Sequence, residues 1–568
     1  MGSVKQFFVG AVRWAWFGML LLLAFSYLAA GLSKSNSDAS QKPDSTGSSA
    51  QRVRLSSSIE SSPNGELREI LDRLNALRLD DLELRELPSA EAADWLTICR
   101  RMSLALVGNG LSLEEIRQLE QQPESLRTSI HLENLLTDPR FHGYWGERWT
   151  RFLVGTDGGQ FVVYRRRRFR IWLTEVFAAN QPYDQMVREL ITAEGLWTDK
   201  PEVNFLTATF DSNDGQADPV RLAARTSRAF LGLRIDCLQC HNDFLGNVSL
   251  GDVDEPREGM QTDFHQLAAF YTSAKTSGLQ GVREGEVEYE YKYLNAEEEV
   301  AVEPGVPFYQ ELLPEEGTPR ERLATWVTHP ENRQAARAAV SHVWALMFGQ
   351  PVADAVDNLP LDESVHPMCE LLADDFVKHG FDIRRLIRLI ALSEAFSVDS
   401  RADFEVTPTH ELNYAAFPLV RLRPEQVAGS VIQAARIKKT DRESSLFLQL
   451  QTLAGSNDFV TSYGDMGEDE FTSDSVTITQ RLLMMNGNML RELINANPVL
   501  NATAHINMFS SDNAHVVETV YLCALNRYPT EFETELFVQR IVEADNREDA
   551  IEDLYWILLN SSELAWNH

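Results

Sequence analysis

The sequence predicts a mainly α-helical protein with two helical domains, a small β-hairpin between them, and an N-terminal membrane anchor followed by a disordered tether. Leu and Ile recur at helical spacing, and Ser112, Thr318 and Thr530 each begin a capping box with Glu three residues later. From residue 287 to residue 293 the apolar period changes to two, which indicates a half-buried strand. An uncharged run at residues 14–32 predicts the anchor.

The N-terminal segment predicts the compartment. Lys5 and Arg13 precede the apolar run, so the N-terminus should stay in the cytoplasm and the body should be exported. A cleaved signal peptide is the alternative to a signal anchor at residues 1–32, with Ala29 and Ala30 near the cut. Residues 33–63 are rich in Ser and predict a flexible tether. We therefore expect a protein anchored in the cytoplasmic membrane, with its body in the periplasm or at the cell surface.

Composition excludes some partners and favours others. The 568 residues are 44% hydrophobic and 24% charged, which is typical of a globular protein large enough for two or three domains. The formal net charge of −32 argues against binding nucleic acid and against binding an anionic membrane through the soluble part. It is compatible with a partner that presents a cationic surface.

The folded part is predicted to begin near residue 64, and periodicity places its elements in order. Helices of the first domain, residues 64–285, are expected at 66–87, 94–107, 112–122, 125–136, 141–152, 182–194, 221–234 and 263–274. Residues 286–318 should hold a β-hairpin, with Val300 and Val302 opposite the Tyr-rich strand, and an acidic linker. Helices of the second domain, residues 319–568, are expected to begin at 318, 333, 367, 383, 424 and 530, and the second of these should run from residue 333 to residue 348 and end at Gly349.

One pentapeptide carries a chemical signature. Cys237-Leu-Gln-Cys-His241 has the spacing of a c-type haem attachment site. Two intervening residues put both sulfurs on about one helical turn, where each thiol can add to one vinyl group of a haem. His241 would then be the proximal iron ligand. Phosphate-binding loops, zinc-protease helices and nucleophile elbows are missing from the sequence.

The same cysteines have other interpretations. A structural zinc site needs more ligands at short spacing, and Cys99, Cys369 and Cys523 are single and far apart. A redox disulfide normally opens a helix after a strand, whereas the preceding residues here are predicted to be helical. An inert pair of thiols is the third alternative.

Three residues are candidates for the sixth ligand of the iron. Met260 follows the motif on a loop, His265 lies near the start of the next helix, and His342 lies in the second domain. We predict that His265 ligates and gives a low-spin bis-histidine iron, whereas an open sixth position would favour an enzyme. The Arg-rich residues 165–170 are either a solvated helix start or partners for haem propionates.

Several short stretches together resemble the planctomycete-type exported proteins that have a cytochrome c-like domain followed by a domain of unknown function. In the first half these are Asp138-Pro-Arg-Phe141, Trp145-Gly-Glu-Arg-Trp149, Pro182-Tyr-Asp184, Phe230-Leu-Gly-Leu233 and the Cys-x-x-Cys-His motif itself. In the second half they are His329-Pro-Glu-Asn332, Val343-Trp344, Leu422-Arg-Pro-Glu-Gln426, Leu525-Asn-Arg-Tyr-Pro529 and Leu558-Leu-Asn-Ser-Ser-Glu563. Two positions depart from the family pattern: Asp243 replaces a second His, and Ser341-His342 replaces an Asn-Arg pair.

The resemblance implies export, one covalent haem c and a two-domain body, and it does not imply an activity. Our leading expectation is electron transfer or haem-based redox chemistry outside the cytoplasm, with an unknown redox partner protein and membrane attachment through the N-terminal helix. A haem-free binding or scaffold protein at the cell surface is one alternative. A haem enzyme acting on an exported substrate, such as a polysaccharide, is another.

Overall fold

The computed structural model describes residues 63–156, 164–210, 213, 215–244, 246, 248–252, 254–352, 355–361, 365–438, 471, 502–510 and 512–568. Residues 69–568 form one compact unit. The predicted anchor at residues 1–32, almost all of the tether, and the acidic stretch 465–474 apart from Phe471 lie outside the described residues. None of the described helices is both long and apolar enough to cross a lipid bilayer.

The described part is mainly helical, as predicted. Its first group of helices is α1 (Pro63–Leu84), α2 (Trp95–Val107), α3 (Leu113–Glu120), α4 (Glu124–Thr137), α5 (Pro139–Val154), α6 (Arg166–Ala179), α7 (Tyr183–Ile191), α8 (Asn204–Thr207), α9 (Pro219–Leu231) and α10 (Gln261–Ala269). The capping box at Ser112 is confirmed, with Glu115 bonded back to the Ser112 amide. Local side-chain capping therefore sets several of the helix starts that the sequence predicts.

The second group of helices begins after the hairpin region. It comprises α11 (Pro319–Val327), α12 (Arg333–Phe348), α13 (Pro367–Lys378), α14 (Ile383–Ala391), α15 (Glu394–Ser397), α16 (Pro408–Leu412), α17 (Pro424–Ala434), α18 (Ala502–Phe509), α19 (Asn513–Leu525), α20 (Glu531–Glu543) and α21 (Arg547–Leu559). The capping boxes at Thr318 and Thr530 are confirmed. Helix α12 ends at Gly349, whose left-handed φ of 83° is easily reached by glycine.

The strands are short and pair as antiparallel two-stranded sheets. They are β1 (Ser249–Leu250) with β2 (Arg257–Glu258), β3 (Ala274–Thr276) with β4 (Val282–Glu284), β5 (Glu290–Tyr291) with β6 (Val300–Ala301), and β7 (Val420–Arg421) with β8 (Trp566–Asn567). The predicted hairpin is confirmed, because Tyr291 lies opposite Val300 and the Val302 amide donates to the Tyr289 carbonyl.

The largest error in a predicted helix end is at α10. Helix α10 was expected to continue to Ala274, but it ends at Ala269, and Ala274 begins β3 opposite Glu284. The hydroxyls of Thr272 and Ser273 donate back to the carbonyls of Ala269 and Phe270. These local bonds compete with continuation of the helix.

Helix α12 is the central element of the compact unit at residues 69–568. Every residue from Gln334 to Phe348 is buried. The helix packs against α2 and α9 from the first predicted domain and against α13 and α14 from the second. The division at residues 286–318 stays a prediction, and the segments on its two sides are in contact. Helices α9 and α10 also pack against each other, and α10 contacts the short 3₁₀ helix Asp236–Gln239.

Candidate haem-attachment site

The Cys-x-x-Cys-His motif lies on a surface turn held by one buried side chain. Cys237 begins the motif within the 3₁₀ helix, and Leu238 is completely buried. Both Cys237 and Cys240 are free and exposed, and the His241 ring is exposed as well. The buried Leu238 fastens the turn to the protein while both thiols and the imidazole remain at the surface.

Helix α9 delivers the chain to this turn through a glycine. Gly232 has a φ of 62°, and a Cβ at this position would lie 3.0 Å from Leu359 Cδ1 and 3.3 Å from Ala338 Cβ. A larger residue would therefore be strained and crowded. The Arg228 guanidinium, on the last turn of α9, donates to the Asp236 carboxylate at 2.7 Å. This ion pair links the helix to the first residue of the 3₁₀ helix.

Three side chains hold the centre of the motif by its backbone. The Gln239 carbonyl accepts from His265 Nε2 at 3.0 Å, from Gln261 Nε2 at 3.0 Å and from Tyr291 Oη at 3.1 Å. We call these three residues the Gln239 clamp. Two of them come from α10 and the third from β5, so the hairpin is attached to the motif through Tyr291. The clamp positions the turn without using either thiol or the His241 ring.

The clamp also determines the proton position on His265. A backbone carbonyl can only accept, so Nε2 carries the hydrogen that bonds Gln239. Nδ1 is then the acceptor for Tyr289 Oη at 2.8 Å. The His265 ring stacks on Tyr291 with centroids 3.5 Å apart, and the residue is fully buried. Burial lowers the pKa of His265, although its hydrogen bond to Gln239 acts in the opposite direction.

The loop after the motif is held by its backbone and by one carboxylate. Asp243 is buried, and its side chain accepts from the Val248 amide at 2.5 Å. The Asp243 amide donates to the Gly259 carbonyl at 2.9 Å. A Cβ on Gly259 would lie 2.8 Å from Leu238 Cδ1, so glycine permits this close approach. At the position where the resembled family has a second His, this chain therefore uses an Asp to close a loop.

The His241 ring has the arrangement of a metal ligand. Its Nδ1 lies 2.7 Å from the Asn242 carbonyl oxygen, so Nδ1–H donates and Nε2 keeps its lone pair. Within the described part of the chain, Nε2 has no hydrogen-bond partner. Metal-binding histidines commonly donate one ring N–H to a carbonyl and ligate through the other nitrogen. Two free thiols and this imidazole on one turn are a donor set that fits a covalently attached haem.

The electrostatics of Cys237 bear on the redox interpretation of the two cysteines. Partial burial raises the pKa of Cys237, and the nearby carboxylates of Asp243 and Asp236 raise it further. Disulfide exchange requires a thiolate, which this environment disfavours. A bound zinc ion would itself remove the thiol proton, so the raised pKa leaves the zinc interpretation open. Among the residues that the structure describes, no group of three or more His, Cys, Asp or Glu side chains could hold a metal ion.

The three predicted candidates for the sixth ligand lie in different environments. His265 is beside the motif, and both of its ring nitrogens are hydrogen-bonded. Met260 is 45% exposed and lies between Gly259, where an added Cβ would meet Leu238, and Gln261, which belongs to the clamp. His342 is buried on α12, where it stacks on Phe152 with ring centroids 3.7 Å apart. Ligation by His265 stays a prediction and would require the loss of one hydrogen bond.

The Arg-rich residues predicted as propionate partners begin α6. Arg166 pairs with Glu147 at 2.8 Å, and Arg170 lies 3.8 Å from the same carboxylate. Arg167 and Arg168 are exposed. These contacts account for part of the run as ion pairs between α5 and α6, and a role toward propionates stays a prediction.

Sequence reasoning identified the cysteines and the Tyr-rich strand but missed how they are joined. The alternation of Tyr289, Tyr291 and Tyr293 predicted a strand, yet it gave no sign that Tyr291 would reach Gln239. Gln261 was not a candidate at all. The one available signal was that three aromatic residues in an acidic segment must bury one face against something nearby.

Comparisons with known protein families agree with the order of the two halves. Residues 73–275 match the PSCyt2 family, described as a protein of unknown function (DUF1549). Residues 319–470 match the PSD1 family, described as a protein of unknown function (DUF1553). Searches among curated proteins and among solved structures found no match to this chain. PSCyt2 and PSD1 are the paired names of planctomycete cytochrome c-like families, so the two matches support the resemblance to those families.

Proposed function

We propose that this protein is an exported c-type haem protein that transfers electrons outside the cytoplasm. Cys237 and Cys240 would hold the haem through thioether bonds, and His241 would be the proximal ligand. Haem iron bound there would cycle between its ferric and ferrous states, taking one electron from a donor protein and passing one to an acceptor.

The observation that carries the proposal is the preset His241 ring. Its Nδ1–H is committed to the Asn242 carbonyl, which leaves the Nε2 lone pair available beside two exposed thiols. The Gln239 clamp supports the turn independently of these three donors. The turn is therefore held in place while the two thiols and the imidazole remain exposed for attachment.

Apolar side chains beside the motif support the same proposal. Phe244 is 72% exposed, and its ring lies 6.1 Å from the His241 ring in a stacked arrangement. Met260 adds a second exposed apolar side chain close to the motif. Exposed large apolar groups are informative when they cluster, because burying them against an apolar ligand is favourable. A porphyrin face would provide that surface.

The charge around the site favours a cationic redox partner. The hairpin attached to the motif through Tyr291 presents a series of exposed carboxylates, namely Glu286, Glu288, Glu290, Glu297, Glu298 and Glu299. A surface with one sign of charge accelerates encounter with partners of the opposite sign. An exposed attachment turn beside such a surface is suited to brief electron exchange.

Covalent attachment is tested with the full chain, produced in a host that has haem-attachment machinery. We expect a haemochrome spectrum that stays with the polypeptide after acid–acetone extraction. Replacing both Cys237 and Cys240 by Ala should abolish the bound haem, and His241→Ala should remove the normal proximal ligation. Cys523→Ala and His515→Ala are the matched controls and should retain the spectrum. A colourless or freely extractable product from the competent host would reject the proposal in favour of a binding or scaffold protein.

The sixth ligand is tested by spectroscopy of two variants. If His265 ligates, His265→Ala should convert the oxidised spectrum from low-spin to high-spin and allow carbon monoxide to bind the reduced protein. If Met260 ligates, the unmutated protein should show a sulfur-to-iron charge-transfer band that Met260→Ala removes. A high-spin unmutated protein that binds carbon monoxide readily would contradict both assignments and favour an enzyme.

The proposed effect of the hairpin carboxylates on the choice of redox partner is tested with small redox probes of opposite charge. Replacing Glu297, Glu298 and Glu299 by Lys should slow oxidation of the reduced protein by a cationic hexaammine complex by about threefold to tenfold at low salt. The same variant should react faster with anionic hexacyanoferrate. Equal effects on both probes would show that the hairpin charge does not act on the haem site.

Export is tested separately from haem attachment. A phosphatase reporter fused after Ser61 should be active if the body lies outside the cytoplasm. Protease added to spheroplasts should digest the soluble part. Protection of that part in intact spheroplasts would contradict the proposed orientation.

A further inference from the structure

Helices α20 and α21 carry a group of exposed apolar side chains that the electron-transfer proposal does not use. The two helices are joined by three residues and pack against each other, so they form an antiparallel helical hairpin. Both also pack against α19. Their inner faces supply Ile541, Leu554 and Leu558 to the hydrophobic core that includes Val517 and Val520 of α19. The opposite faces of the two helices point away from this core.

Two apolar side chains of α20 lie on its outward face. Phe532 and Leu536 are one turn apart, and the 3.6-residue period places them on the side opposite Ile541, which is buried. The inward side also carries Phe537 and Val538, which pack against the core. Phe532 is 71% exposed and Leu536 is 36% exposed. The core of the protein therefore leaves the Phe532 ring largely uncovered.

Helix α21 adds two apolar side chains at the same end of the hairpin. Trp556 and Ile557 are 41% and 40% exposed, whereas Leu558 beside them is 4% exposed. Because the helices are antiparallel, the first turns of α20 lie beside the last turns of α21. Phe532 and Leu536 are consequently at the level of Trp556 and Ile557 along the hairpin. We call these four exposed residues the α20–α21 patch.

The two helices that carry the patch are strongly acidic. Residues 531–559 contain nine Asp or Glu and only two Arg. Arg547 is turned inward, where its guanidinium donates to the carbonyls of Asn507 and Ser510. The exposed carboxylates of the hairpin include Glu531, Glu535, Asp549 and Asp553. The patch therefore lies on a negatively charged surface.

This charge selects among occupants of the patch. Glu535 adjoins Leu536 in the chain, and Asp553 precedes Ile557 by one helical turn. A second copy of this chain would bring its own carboxylates against these, and an anionic membrane would be repelled in the same way. A cationic segment would instead pair with the carboxylates while its apolar side chains cover the patch. Apolar patches bordered by polar groups commonly mark interaction sites.

We infer that the α20–α21 patch binds a basic amphipathic helix of a partner protein, in which Lys or Arg residues flank bulky apolar side chains. Phe532 and Trp556 would be the main contacts, since aromatic side chains are enriched among the residues that dominate binding energy. Glu535 and Asp553 would face the basic residues. The inference is independent of haem attachment, because the patch shares no residue with the Cys-x-x-Cys-His turn or the Gln239 clamp.

The test measures, by fluorescence anisotropy, binding of a labelled helical peptide made of Leu and Lys to the purified full chain. Phe532→Ser combined with Trp556→Ser should weaken binding by about tenfold or more, because it removes both aromatic contacts. Glu535→Lys combined with Asp553→Lys should weaken binding by about tenfold at low salt and by less at high salt. A peptide with Glu in place of Lys should not bind the unmutated protein.

Two matched control variants separate the patch from the overall negative charge. Leu84→Ser combined with Leu412→Ser removes two apolar side chains that are 83% and 66% exposed on other helices. Glu315→Lys combined with Glu316→Lys makes the same change of charge at exposed positions before α11. Both controls should bind the Leu–Lys peptide like the unmutated protein.

Thermal unfolding shows whether each variant is folded. If Phe532→Ser combined with Trp556→Ser does not fold, the comparison of the two charge variants decides the question. Equal weakening by the patch and control variants, or no binding of the Leu–Lys peptide by the unmutated protein, would overturn the inference. A dimer in sedimentation, or binding to anionic phospholipid vesicles, would also overturn it if the patch variant abolished that association.

Discussion

Two buried histidines differ in how their ring nitrogens are satisfied. His265 on α10 is fully buried, and His342 on α12 is 3% exposed. Each ring stacks on an aromatic neighbour, Tyr291 at 3.5 Å and Phe152 at 3.7 Å between centroids. Both His265 nitrogens are hydrogen-bonded, whereas neither His342 nitrogen has a partner within the described residues.

The comparison shows that burial alone does not determine what an imidazole contributes. A buried polar atom with a partner adds modestly to stability, and one without a partner imposes a desolvation cost. His265 should therefore stabilise the fold by joining α10, the hairpin and the motif. His342 should destabilise it in the absence of a completing group. The same substitution at the two positions should give effects of opposite sign.

The largest effect is expected from His265→Leu. Leucine has a similar volume but cannot replace the bonds to Gln239 and Tyr289, and it leaves the Tyr289 hydroxyl without its acceptor. We expect the free energy of unfolding to fall by about 2–3 kcal/mol. Urea denaturation at neutral pH measures this change, and a loss smaller than that of a surface substitution would contradict the role of the clamp.

The next effect is a pH dependence of stability, for which His342→Leu is the diagnostic variant. The folded-state pKa of His342 is well below its unfolded value of about 6.5, chiefly because of burial. Below about pH 6.5 the unfolded imidazole binds a proton that the folded one does not. The free energy of unfolding should therefore fall as the pH decreases, by about 1.4 kcal/mol per pH unit for this proton.

The His342→Leu variant lacks the imidazole that takes up this proton on unfolding. The free energy of unfolding of the variant should therefore fall less steeply between about pH 6.5 and pH 5. Burial also lowers the pKa of His131 and of His568, in each case to about 4. The His342→Leu variant will consequently retain some pH dependence from those residues. The difference between the stability–pH curves of the unmutated protein and the variant gives the contribution of His342. Parallel curves would contradict a lowered folded-state pKa for His342.

At neutral pH, His342→Leu should have a smaller effect of the opposite sign to His265→Leu. Removing two unsatisfied ring nitrogens is expected to raise the free energy of unfolding by about 1 kcal/mol, less any loss of packing against Phe152. Chemical denaturation at pH 7 measures it. A decrease of 2 kcal/mol or more in the free energy of unfolding would mean that the ring nitrogens of His342 have hydrogen-bond partners.

The smallest effect is expected from Tyr289→Phe, which removes one hydrogen bond to His265 Nδ1 and keeps the aromatic ring. We expect a loss of about 1 kcal/mol. In the His265→Leu background the same substitution should cost less, because the bond is already absent. Equal costs in the two backgrounds, measured by a double-mutant cycle, would show that the bond does not contribute.

Local features of the fold were predictable because they depend on neighbouring residues. The range predicted for α12, residues 333–348, is the range observed, ended by Gly349 in a left-handed conformation. The capping boxes at Ser112, Thr318 and Thr530 formed as expected. The end of α10 was missed because Thr272 and Ser273 bond back to the helix carbonyls, a choice that apolar periodicity does not reveal.

The amino-acid sequence by itself determined the helical class, the hairpin and the spacing of Cys237, Cys240 and His241. These follow from propensity, periodicity and capping, which act over a few residues. Tertiary structure alone decided that Tyr291 would hold Gln239, and that exposed apolar side chains of α20 and α21 would share one patch. Such contacts depend on how distant segments pack. Whether a buried nitrogen has a partner is likewise decided only when those segments meet, as His265 and His342 show.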